Sequence, residues 1–285
     1  MAPPSPPSPP STSSFLLLSF PTPHVLLVTL NRPQQLNSLT NALHHELASI
    51  WHWYDRTPSL YCALLTGARG GPIPSFCADT HILEWNTAQN ASHTSTRSPP
   101  AHPESGFGGL SQRRGKKPII CAVSGVALGG GLEMLANADM VVATADSTFG
   151  LPEARVGVVA FSGALPRLAM ALGLQRASEL ALAGRVLSAN EAERWGLVNR
   201  VVAEGEDVVS AAVEMALKVC RSSPDSVVVS RAGLRSAWYM GDGVDQAVKN
   251  VWDGIGAELQ GGENIKEGLK AFVEKRKPRW KASKL

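Results

Sequence analysis

Beyond Ser14 the apolar positions first gather into two short runs, Ser14 to Phe20 and His24 to Leu30, separated by Pro21-Thr22-Pro23. The pattern predicts two strands joined by a hairpin-like turn. Leu43, Leu47, Ile50, Trp51 and Tyr54 then recur at helical spacing from a start near Thr40, and the run ends before Pro58. A strand is predicted over Tyr61 to Thr66, then a Gly/Pro loop through Pro74, and a segment Ser75 to Trp85 with the character of a helix start. Asn86 to Gly109 carries no period and is rich in Ser, Thr, Pro, Asn and Gly, which predicts a mobile surface loop. Order returns with strand Pro118 to Val123, a glycine turn, a helix from about Gly130 to Ala136, and strands Met140 to Thr144 and Ser147 to Gly150. From Gly163 the pattern is mainly helical, with a strand predicted at Leu197 to Val202 and helices alone from Asp207 to Arg276. The order predicts an α/β core at 15–206 with a helical region at 207–282.

Composition narrows the class without choosing a function. The chain has 285 residues, 44% hydrophobic and 18% charged, with a formal net charge of +3. That suits a globular protein with a large core and gives no reason to invoke nucleic acid. The four cysteines (Cys62, Cys77, Cys121, Cys220) are scattered, with no zinc-like spacing, so no metal and no disulfide framework is expected. No apolar stretch approaches the roughly 20 residues of a membrane helix. Residues 1–14 read as a disordered Pro/Ser-rich tail, and no Lys or Arg precedes Arg32, so the basic start of a secretory signal is missing. Ser283-Lys284-Leu285 is a tripeptide of the kind the peroxisomal import receptor reads, which predicts a peroxisomal location.

The segment Ile119 to Gly157 carries the chemistry. A buried strand is followed by Ala127-Leu128-Gly129-Gly130-Gly131 and a helix bearing Glu133. Glycine lets a ligand approach the main chain, and a helix start presents N–H groups and the positive end of a dipole, so the turn is a candidate oxyanion site. A tight turn without a ligand is the plainer reading of such glycines. Glu133 on an otherwise apolar helix and Glu153 after Pro152 are each commonly salt-bridged or exposed residues. Beside an anion site, the two together resemble a paired general acid and base.

The string from Lys117 through Gly129-Gly130-Gly131-Leu132-Glu133, followed by Ala138-Asp139, Phe149-Gly150-Leu151-Pro152-Glu153 and Gly157, resembles the enoyl-CoA hydratase/isomerase (crotonase) superfamily. Asn31-Arg32-Pro33, Leu36-Asn37-Ser38-Leu39, Phe76-Cys77-Ala78, Arg167-Leu168, Gly196-Leu197-Val198 and Ala271 to Arg276 fall in the family's order, so the resemblance runs from about 24 to 280. It implies a ClpP-like spiral of strand-strand-helix units, with a helical C-terminal region that builds homotrimers, often paired into hexamers. It implies acyl-CoA thioester substrates and no cofactor beyond the coenzyme A of the substrate. The family's oxyanion hole maps onto the N–H groups of Ala78 and Gly130, and Phe272 and Lys275 match residues that reach the CoA of a neighbouring subunit. Its two hydratase glutamates correspond to Glu133, as base on the attacking water, and Glu153, as proton donor to C2. Breakdown of fatty or branched acyl-CoA is the implied setting.

The pattern departs from the family at Asp79-Thr80-His81, where Gly-x-Asp is usual, and at Ala160-Phe161-Ser162-Gly163-Ala164, where Pro and several glycines are usual. A bulky Phe161 is expected to reshape the acyl pocket. Three alternatives stay open. An isomerase needs one carboxylate, in several relatives at the position of Glu153. A catalytically silent scaffold would suit Asp79 and Phe161. A Ser or Cys hydrolase would use Ser162 or Cys77, although all seven histidines lie before residue 103. Gly106-Phe107-Gly108-Gly109 has no strand before it and does not read as a nucleotide loop. The basic run Arg276 to Lys281 reads as a solvated tail.

Overall fold

The computed structural model describes residues 8–78, 102–240 and 243–285. Ten strands are found among them: β1 (Leu16–Thr22), β2 (Val25–Leu30), β3 (Cys62–Gly67), β4 (Ser75–Ala78), β5 (Ile119–Val123), β6 (Val126–Leu128), β7 (Met140–Ala143), β8 (Thr148–Gly150), β9 (Val186–Ser188) and β10 (Arg200–Val201). The helices are α1 (Asn41–Arg56), α2 (Gly130–Asn137), α3 (Ala164–Leu172), α4 (Leu174–Ala181), α5 (Ala189–Trp195), α6 (Val208–Cys220), α7 (Pro224–Met240), α8 (Val244–Val251), α9 (Ala257–Gly261) and α10 (Glu263–Val273). One sheet runs β1-β2-β3-β5-β7-β10 and a smaller one β4-β6-β8-β9. After the β1-β2 hairpin, every pairing in the large sheet is parallel.

Interior parallel strands are covered on both faces, so β3 and β5 are buried at every position and show no alternation. Alternate residues nevertheless serve different layers. Ala63, Leu65, Ile119, Cys121 and Val123 join the core that contains Leu43, Leu47, Ile50 and Trp51 of α1. Cys62, Leu64, Ile120 and Ala122 pack with Val208, Ala211, Ala212 and Ala216 of α6. Helix α1 begins where Thr40 Oγ1 accepts from the Leu43 N–H. Its other end is held by the buried Lys117, whose Nζ donates to the carbonyls of Tyr54 at 3.1 Å and Thr57 at 2.5 Å. A cation there also complements the negative end of the helix dipole.

Several expectations change. Ser75 to Ala78 is a strand, because Cys77 and Ala78 pair with Ala127 and Leu128 of β6, while the rest of the expected helix start, with Asp79 and His81, lies outside the described residues. The loop expected over 86–109 ends inside the core: Phe107, Gly108 and Gly109 form a buried 3-10 turn, and residues 79–101 lie outside the described residues. Of the tail expected over 1–14, Ser13 is tied down by its N–H and Oγ to the Glu46 carboxylate, both at 3.0 Å. Residue 206 is no packing boundary, since α6 covers one face of the large sheet. The strand expected over 197–202 shrinks to the two residues of β10. No helix among the described residues is long and apolar enough to cross a membrane.

Candidate active site

Three chain segments leave the small sheet at one level. Ala78, Leu128 and Gly150 are register partners across the parallel strands β4, β6 and β8, so their carboxyl-terminal ends lie side by side. Ligands of open α/β sheets bind at that end of the strands. Glu133 follows Leu128 by five residues on the first turn of α2, and Glu153 follows Gly150 by three, at the start of a 3-10 turn (Glu153–Val156). Both are buried, at 4% and 8% exposure. Glu133 Oε2 accepts the N–H of Ala164, the first residue of α3, at 3.1 Å.

The three glycines before Glu133 have separate physical reasons. Gly129 takes a backbone conformation at φ 54 that side chains disfavour. A methyl group on Gly130 would come within 2.2 Å of the Phe107 ring, and one on Gly131 within 2.2 Å of the Cys77 carbonyl oxygen. Close packing thus explains much of the run. Gly130 is also the first residue of α2, where N–H groups have no acceptor within their own helix.

Ala78 does not fill the role expected of it. Its N–H donates to the carbonyl of Leu36 at 3.0 Å, so that hydrogen stitches the Leu36 turn to β4 and is not directed at a ligand. The same stitch explains the Leu36-Asn37-Ser38 motif. Asn37, buried at φ 55, accepts the Arg32 N–H and donates to the carbonyls of Ala68 and Ser75. Arg167 is likewise a clamp, bonding Asn137 Oδ1 at 3.0 Å and the Gly163 carbonyl at 2.9 Å, which ties the end of α2 to the start of α3.

Phe161 is 70% exposed, whereas its neighbour Ser162 is buried at 4%. The Ser162 Oγ lies 3.0 Å from His102 Nδ1, so a histidine that precedes this serine by 60 positions in the chain is its neighbour in the fold. The ring of His102 stands edge-on to His44 at 4.5 Å and to Phe107 at 5.5 Å between centroids. His44 is fully buried, and its Nδ1 accepts the Gly108 N–H at 2.9 Å, which leaves the ring hydrogen on Nε2. Burial, with help from His102 and His45, pushes its pKa down to about 3, so it is neutral near pH 7. Sequence reading missed His44, His102 and Phe107. Cys77, the other nucleophile considered, is fully buried within β4.

Phe272 and Lys275 lie at the far end of α10 and beyond it, both exposed, Phe272 at 84%.

The profile of the family described as "Enoyl-CoA hydratase/isomerase" matches residues 22–283. A mevalonyl-coenzyme A hydratase of Beauveria bassiana is 52% identical over 94% of this chain and 95% of its own length. One of Aspergillus fumigatus is 49% identical over 94% and 96%. A carnitinyl-CoA dehydratase of Escherichia coli is 32% identical over 90% and 95%. Among solved structures, an enoyl-CoA hydratase of Mycobacterium tuberculosis superposes with a TM-score of 0.83 at 32% identity, covering 95% of this chain and 100% of that one.

Proposed function

The chain belongs to the enoyl-CoA hydratase/isomerase family, and from that premise we propose that it interconverts mevalonyl-CoA with 5-hydroxy-3-methylpent-2-enoyl-CoA and water. The observation that carries this is the pair of buried glutamates at the aligned ends of β6 and β8, in a chain about half identical to two mevalonyl-CoA hydratases along nearly its full length. Hydro-lyase chemistry on an acyl-CoA is the shared ground with the relatives. The finer reading narrows the expected fatty or branched acyl groups to a branched, hydroxylated one.

In the hydration direction the thioester oxygen lies at the start of α2, where the Gly130 N–H and the helix dipole stabilise the charge that develops as the enolate forms. Ala78 is left out of the hole, its N–H being spent on Leu36. Glu133 takes a proton from water as its oxygen bonds to C3, and Glu153 gives a proton to C2. The bond to Ala164 fixes the Glu133 carboxylate, so the base is oriented before substrate arrives. The reverse reaction removes the C2 proton and the C3 hydroxyl through the same groups.

Phe272 and Lys275 serve the CoA of a neighbouring subunit in this reading, in a trimer or hexamer. Exposed apolar side chains on the C-terminal helices, including Leu234 at 79% and Leu269 at 65%, suit such an assembly. Location in the peroxisome through Ser283-Lys284-Leu285 is part of the same proposal, tested by where a fluorescent fusion accumulates with and without those residues.

A panel of trans-2-enoyl, cis-3-enoyl and 3-methyl-2-enoyl thioesters tests the function. Loss of conjugated-thioester absorbance with the 3-methyl substrates is expected. Gain of absorbance from the cis-3-enoyl thioesters alone would favour isomerisation, and silence throughout a scaffold.

A further inference from the structure

The hydration steps make no use of His44, His102 and Ser162, yet these three form a polar seam linked to Glu133. Ser162 precedes by two residues the N–H that binds Glu133 Oε2, and two residues of chain span at most about 7 Å. Its position is set from the other side as well. The Ser162 carbonyl accepts from Ser111 Oγ at 2.7 Å, and Ser111 Oγ accepts the N–H of Phe107 at 2.8 Å. Phe107 is the residue whose ring lies against Gly130. The seam is therefore tied to the proposed base through Ala164 and to the start of α2 through Phe107.

Its hydrogen bonding is incomplete. Nδ1 of His44 is occupied as an acceptor, so Nε2 is a donor, and no group among the described residues receives it although the ring is wholly buried. Leaving such a donor unmet costs about 1–3 kcal/mol. A hydrocarbon acyl tail would add to that cost by excluding water from Ser162 as well. A hydroxyl group both donates and accepts, and so suits a seam that holds an imidazole N–H, a serine and a second imidazole.

We propose that His44, His102 and Ser162 form a subsite for a hydroxyl on the acyl group, beyond the carbons that react. The inference rests on the hydratase reading and deepens it, because a 5-hydroxyl lies only two carbons from the C3 at which water adds. His102 positions the Ser162 hydroxyl, and His44, kept neutral by burial, supplies a fixed donor behind it.

The test compares kcat/KM for 5-hydroxy-3-methylpent-2-enoyl-CoA and its deoxy analogue, 3-methylpent-2-enoyl-CoA. A site built to bond a hydroxyl rejects the analogue lacking it, so the native protein should prefer the hydroxylated thioester by at least about 10²-fold. Ser162→Ala and His102→Phe should each lower that ratio by about tenfold or more, and Ser162→Thr should keep most of it. The native comparison needs no variant to fold. Equal use of both thioesters would overturn the subsite and leave the hydratase reading standing. So would variants that slow both substrates alike. Release of free CoA that Ser162→Ala abolishes would overturn it too, since the pair would then be a nucleophile and its base. Inactivity on every 3-methyl-enoyl thioester would remove the hydratase reading and the subsite together.

Discussion

Replacing His44 by Phe exposes the energetics of the buried seam through a shift with pH. The imidazole is fully buried, accepts the Gly108 N–H, and has a pKa lowered from 6.5 to about 3, first by burial and then by His102 and His45. Between those values the unfolded chain binds a proton that the folded chain refuses, so native stability falls as pH drops below 6.5. At pH 5 the loss is about 2 kcal/mol, one and a half pH units at about 1.4 kcal/mol each. Phe keeps the apolar contact with Phe107 but strands the Gly108 N–H, at about 1–3 kcal/mol whatever the pH. Phe also removes the unmet Nε2 donor of His44, a gain of similar size, so at pH 7 the gap is the small difference of the two, and between pH 7 and pH 5 it should move by about 2 kcal/mol in favour of the variant. Urea unfolding of both proteins at pH 7, 6 and 5 measures it, and taking the difference removes every other titrating group the two share. A gap that stays constant over this range would refute the reasoning, because it would mean that His44 protonates as readily folded as unfolded.

Glu133→Gln should lower the hydration rate by about 10²–10⁴-fold while leaving thioester binding measurable by calorimetry; near-native turnover would remove Glu133 from the chemistry. Gly131→Ala should destabilise the protein and abolish turnover, since its methyl would meet the Cys77 carbonyl at 2.2 Å, whereas Gly233→Ala, inside α7 with nothing within 4 Å, should raise stability by about 0.5–1 kcal/mol in thermal unfolding. Glu267 is held down to about 2 by the Arg276 guanidinium, at 2.6 and 2.9 Å, and by the Arg279 N–H. Its contribution is present above the unfolded value of 4.5 and fades as pH falls toward 2, so the urea-midpoint gap to Glu267→Gln should narrow over that window.

What the sequence made legible was local. The hairpin, α1 and the β5-β6-α2-β7-β8 series each announce themselves by period, capping residue or glycine, and Glu133 stands out as a carboxylate in an apolar helix. The failures share a cause, which is structure decided by partners distant in the chain. β4 is four residues with three consecutive buried positions, so nothing in it alternates, and only its pairing with β6 makes it a strand. That Ala78 spends its N–H on Leu36 is a contact across 42 positions. Whether Phe161 or Ser162 faces inward could not be read from the sequence, because a short turn has no period. The Ser162–His102 pair spans 60 positions, and nothing at either end points to the other. The buried Phe107 turn was hidden by a glycine-rich composition that usually marks a surface loop. Its signal was a single large aromatic among small residues.

In the proposed reaction water adds across the 2,3 double bond of a 3-methyl-enoyl thioester under the control of Glu133 and Glu153. Turnover of 5-hydroxy-3-methylpent-2-enoyl-CoA in deuterated water enriched in heavy oxygen, read by mass spectrometry of the intact thioester, tests it most directly. The expected product carries one heavy oxygen at C3 and one deuterium at C2, with the thioester bond unbroken. Deuterium without heavy oxygen, or heavy oxygen in a free carboxylic acid, would contradict it.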